Sequence, residues 1–103
     1  MDTEEIMDVL LHELETDLAG QWNKSKDFFE KALKPFAEHV AETFDLFEKE
    51  KIDLKESKKN IEKMRPQLVD ILAHAEKEGQ ITEGSLGERF ILKSLSILVQ
   101  LLE

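Results

Sequence analysis

Between Ser85 and Glu103 ten of nineteen residues are large and apolar: Leu86, Phe90, Ile91, Leu92, Leu95, Ile97, Leu98, Val99, Leu101 and Leu102. Wound as a helix at about 100° per residue, they cover an arc of roughly 240° and leave only a strip of Arg89, Lys93, Ser96, Gln100 and Glu103 for water. Burying ten such side chains is a gross gain of roughly 15–30 kcal/mol, against a net stability of about 5–15 kcal/mol for a whole domain. The segment must therefore be covered on more than one side. A bilayer fits poorly. The apolar run from Leu86 to Leu102 falls short of the roughly 20 residues a span needs, and Lys93 would lie near its middle at about 3 kcal/mol. Anionic lipid also repels a chain of net charge -9. Other helices of the same chain, or of a second copy, remain.

Those helices are legible upstream. Asp2 or Thr3 caps a first helix over about 3–19, with Glu4 and Glu5 in its first turn, where the helix dipole favours acids. Met7, Leu10, Leu11, Leu14 and Leu18 fall on one face. Gly20 is a stop signal and Asn23 or Ser25 the next cap, although the apolar phase also permits one long helix through Gly20. A second helix over about 25–50 carries a main seam of Phe29, Leu33, Phe36, Val40, Phe44 and Phe47. A second seam beside it, Phe28, Ala32, Pro35, His39 and Leu46, predicts contact with two neighbours. Pro35 is expected to kink this helix without ending it.

Asp53 and Glu56 have capping-box spacing and open a third helix over about 54–78, bent at Pro66 and ended by Gly79. Its stripe is narrow: Leu54, Ile61, Met64, Leu68, Ile71 and Ala75. Ser85 and Glu88 repeat the box before the fourth helix, about 83–102, whose Gly87 and Ser94 would let a neighbour approach closely. Short turns join successive helices, so the expected fold is all-α, an antiparallel up-down-up-down four-helix bundle forming one domain over 1–103. The scarcity of glycine (4) and proline (2) beside 36% charged and 41% hydrophobic residues suits that fold.

Chemistry finds little footing. Without cysteine there is neither a disulfide nor a thiolate zinc site, and a reduced, cytoplasmic setting is the default. The acidic N-terminal stretch lacks the basic and apolar runs of a secretory signal. His12 and His74 lie on polar faces, whereas bundle metal sites project inward as Glu-x-x-His. The residues three before the histidines are Val9, Phe36 and Ile71. His39 with Glu38 and Glu42 is the one weak metal-enzyme alternative. No nucleophile elbow or phosphate loop occurs. The expectation is a non-enzymatic protein without cofactor or metal.

Charge is the informative surface feature. Residues 1–20 hold seven acids and no lysine or arginine, and residues 49–65 hold seven bases. The bases are interleaved with Asp53, Glu56 and Glu62, which argues against nucleic acid. The plain reading is a solvated acidic face, partly neutralised by a basic one across the fold or a dimer. Two sharper expectations follow. Self-association, as a homodimer, would use Leu95, Leu98, Leu102, Phe28 and Leu46. Alternatively, an acidic inhibitor, immunity- or antitoxin-like, would dock a basic protein partner through Glu4, Glu5, Asp8 and Glu15.

Overall fold

Asp2 starts the first helix as its spacing predicts. Its carboxylate accepts from the backbone N–H of Glu5 at 2.9 Å, and the Glu5 carboxylate accepts from the N–H of Asp2 at 3.1 Å. This reciprocal pair satisfies donors that a helix start leaves unpaired. The computed structural model describes residues 1–84 and 86–103 and is all-helical among them. The elements are α1 (Thr3–Leu18), a 3-10 turn (Ala19–Gln21), α2 (Trp22–Ala32), α3 (Lys34–Glu48), α4 (Leu54–Glu62), α5 (Arg65–Lys77) and α6 (Gly87–Leu102). They pack into a body of 42 × 22 × 19 Å. α1 lies against α2, α3 and α6, α4 lies against α3 and α6, and α5 lies against α6.

The boundaries differ from the sequence expectation in instructive ways. The break near Gly20 exists, but the residue with positive φ is Ala19 (φ 47), and α2 starts at once with Trp22. Ser25 is therefore no cap. It is buried inside α2, and its hydroxyl donates to the Gln21 carbonyl at 3.0 Å. Pro35 does more than kink its helix. The expected 25–50 element divides at Leu33, and Pro35 occupies the first turn of α3, where its missing N–H costs least. Pro66 divides 54–78 in the same way. Lys63 and Met64 separate α4 from α5, and the chain tightens to Met64 N–H donating to the Ile61 carbonyl at 3.0 Å. The last helix begins at Gly87 instead of about 83, and the expected Ser85–Glu88 box lies outside the described residues. Gly87 serves backbone geometry (φ 58) and not close approach, since a Cβ there would meet nothing within 4 Å.

Helix ends reveal a feature that composition hides. After α5, Gly79 takes φ 72, its N–H donates to the Glu76 carbonyl, and the Gln80 N–H donates to the Ala75 carbonyl. The same pair of bonds closes α3, from Glu50 to Phe47 and from Lys51 to Leu46, but there the left-handed residue is Glu50 (φ 59). A side chain in that conformation costs about 1–2 kcal/mol. Its carboxylate also sits at the negative end of the α3 dipole. Glu50→Gly is expected to stabilise the fold by about 1 kcal/mol, raising Tm by about 5 °C in thermal unfolding. An unchanged or lowered Tm would contradict this cap.

The core takes Ile6, Leu10, Leu14 and Leu18 from α1, and Phe29, Leu33, Phe36, Val40 and Phe44 from the main seam of α2 and α3. Ile61, Leu68, Leu72 and Ala75 come from α4 and α5. α6 supplies Phe90, Ile91, Leu95, Leu98 and Leu102, with Leu86 at its start. Met7 and Leu11, expected in the α1 stripe, pack at its edge. The cover over α6 is incomplete: Leu92 is 53% exposed and Leu101 44%. Ser94 is fully buried, and its hydroxyl has no hydrogen-bond partner among the described residues. Among the described residues no helix is long and apolar enough to cross a membrane.

Candidate interaction surfaces

The apolar self-association residues predicted from the sequence end up in different places. Leu95, Leu98 and Leu102 are buried within the chain's own core, at 7%, 0% and 6% exposure. They face α6's neighbours in the same chain, so none is offered to a second copy while the fold is intact. Phe28 is half-buried. It packs edge-to-face on Phe29 (5.3 Å between ring centres) and stacks on the His74 ring at 5.9 Å. Leu46 is the one exposed member, at 37%. The second seam is thus covered only in places, by His74 over Phe28 and by Gln67, whose Nε2 lies 3.0 Å from Nδ1 of His39. Glu38 and Glu42 are exposed beside His39. Among the described residues no three histidine or carboxylate groups converge as a metal would require.

The acids of α1 sort into three sets. Asp2 and Glu5 build the cap. Glu13 and Asp17 turn toward α6, where Lys93 Nζ lies 2.6 Å from a Glu13 oxygen and 3.7 Å from Asp17. The Glu13 carboxylate, accepting from the Lys93 ammonium, and the charge of Asp17 raise the Lys93 pKa above the ordinary lysine range. Lys93 thus belongs to an α1–α6 tie, a role its place in the polar strip did not indicate. Glu4, Asp8 and Glu15 form the remaining set. At about 100° per residue they fall within about 40° of one another on the outer face. All three are exposed. No ion pair engages them among the described residues. Glu5 is exposed beside them although its carboxylate serves the cap, and the exposed His12 lies along the same face.

The basic segment divides similarly. Lys49 pairs with Asp45 at 3.0 Å, Lys58 with Glu103, and Arg65 with Glu88. The last two tie α4 and α5 to α6. Lys55, Lys59 and Lys63, spaced by four, are exposed and enter no ion pair among the described residues. Together with Asp53, Glu56 and Asn60 they line a shallow open groove along α4. A second groove, between α5 and α6, is bounded by Val69, Leu72, Ala73 and Ile91, with Arg65 and Glu88 at its rim. Val69, 42% exposed, escaped the sequence reading because it sits one residue off the α5 stripe. Compared with protein-family models, with characterised proteins and with solved structures, the chain matches none.

Proposed function

We propose that this chain is a cytoplasmic, non-enzymatic, antiparallel up-down-up-down bundle that works by protein contact, docking a basic segment of a partner on the outer face of α1. Cross-links at both ends support the topology. The N-terminal ammonium lies 3.0 Å from Glu48 at the end of α3. Lys58, early in α4, meets Glu103 beyond the end of α6. At the other end the Thr82 N–H donates to Gln21 at 2.8 Å, and His74 of α5 stacks on Phe28 of α2. Each link joins positions that an up-down-up-down path brings to the same end.

One observation carries the functional reading. Glu4, Asp8 and Glu15 project together from a helix without a single lysine or arginine, while neighbouring acids are consumed by the cap and by Lys93. Such a row raises the local concentration of a cationic partner and orients its approach. A basic amphipathic peptide with lysines spaced by four serves as probe. The E4K/D8K/E15K variant should bind it at least tenfold more weakly than wild type at 0.15 M salt, by isothermal titration, with Tm little changed because all three positions are exposed. A control, E42K/D70K/E83K, makes the same change in net charge on other exposed positions. Equal weakening by the control would reduce the effect to net charge and sink the reading.

A further inference from the structure

We infer that the lysine row of α4 is a second docking surface, and that its occupant is the α1 acid row of another copy of this chain. The inference rests on α1 being a docking face. The two rows are complementary in charge, and neither enters an ion pair among the described residues. α1 and α4 both pack on α3 and α6 and hardly on each other. Helices so arranged in a four-helix bundle are diagonal neighbours with their outer faces turned apart, so the two exposed rows do not meet within one molecule. Their lengths correspond, at about 12 Å for Lys55 to Lys63 and about 16 Å for Glu4 to Glu15, at about 1.5 Å per residue.

The net charge of -9 opposes association, and screening decides where it wins. At 0.15 M salt the Debye length is about 8 Å, well below the 19–22 Å thickness of the body. Touching rows then feel each other and little of the remaining charge. At 0.01 M the length is about 30 Å, so the two whole molecules repel, and at 1 M it is about 3 Å, so the rows themselves are screened. Association is strongest between those extremes. Because each copy offers one row of each sign on opposite sides, the contact is head-to-tail, and growth does not stop at two chains.

The test is sedimentation velocity with light scattering at 0.01, 0.15 and 1 M salt, up to millimolar protein. Wild type should exceed twice the 11.9 kDa chain mass at 0.15 M and fall toward one chain at both extremes. Neutralised variants E4Q/D8N/E15Q and K55Q/K59Q/K63Q should each associate at least tenfold more weakly. Mixed in equal amounts they should form a heterodimer that grows no further, since each supplies the row the other lacks. Wild type at one chain mass under all three conditions overturns the inference, as does a K55Q/K59Q/K63Q variant that assembles like wild type. The basic-peptide titration of wild type separates the two readings. A wild type that binds the peptide but stays at one chain mass leaves the α1 docking face standing while this inference falls, whereas loss of peptide binding removes both.

Discussion

Leu98→Asp is expected to leave the chain unfolded at 25 °C, with loss of the helical circular dichroism signal and of any cooperative melting transition. Leu98 is fully buried on the inner face of α6. The substitution removes about 1.5–3 kcal/mol of apolar burial and puts a carboxylate where water cannot reach it, at several kcal/mol more. Together these rival the whole stability of about 5–15 kcal/mol expected of a domain this size. Leu92→Asp is the matched comparison. It makes the same chemical change on the same helix at a position 53% exposed, and should fold with a melting temperature near that of wild type. Equal effects from the two substitutions would mean that α6 is not oriented as described, and a folded Leu98→Asp chain would mean that it is not buried.

The second large effect is expected at Phe29. This side chain has no exposed surface, and its ring meets Phe28 nearly at right angles, with 85° between planes. Phe29→Ala should cost about 3–5 kcal/mol, from lost transfer energy and an unfilled cavity. The readout is the urea midpoint, with the slope unchanged if only stability is altered. Phe28→Ala should cost no more than about half as much, because the ring is half-buried and its outer contact is an exposed histidine. Adjacent residues of one type then report two environments. A reversal of their order would place the helix rotated by about 100° from the arrangement described.

The difference between Phe28 and Phe29 also marks how far the sequence could be read. Helical period placed Phe29, Leu33, Phe36, Val40, Phe44 and Phe47 on one inward seam, and all are buried except Phe47, which is half-buried at the core's edge. Period alone could not say whether the neighbouring seam is covered, since that depends on where α5 lies, which brings Gln67 to His39 and His74 to Phe28. The same ambiguity ran through the last helix. Ten apolar residues implied burial over a wide arc, but Leu92 and Leu101 lie beyond the reach of the helices on either side. Caps that rest on side-chain chemistry were visible, the reciprocal pair of Asp2 and Glu5 and the Asp53 carboxylate that accepts from the Glu56 N–H, because an acid before a helix meets a free donor three residues on. The left-handed Glu50 and Ala19 were not, because nothing local marks a strained residue where glycine would be at ease. On the surface, composition announced an acidic first helix and a basic third segment. It could not separate Glu13 and Asp17, drawn inward to Lys93, from Glu4, Asp8 and Glu15, which remain outside.

The two prolines have a consequence for how the molecule breathes. Pro35 and Pro66 leave the carbonyls of Lys31 and Glu62 without the amide donor four residues on. Neither α2–α3 nor α4–α5 therefore carries an unbroken ladder of backbone bonds from end to end, whereas α1 and α6 each do. Fraying that enters α2 or α5 from its free end meets a natural stopping point at the proline, so local opening there need not spread into α3 or α4. The protein is built to loosen by segments, held meanwhile by two continuous staves tied to each other through Lys93.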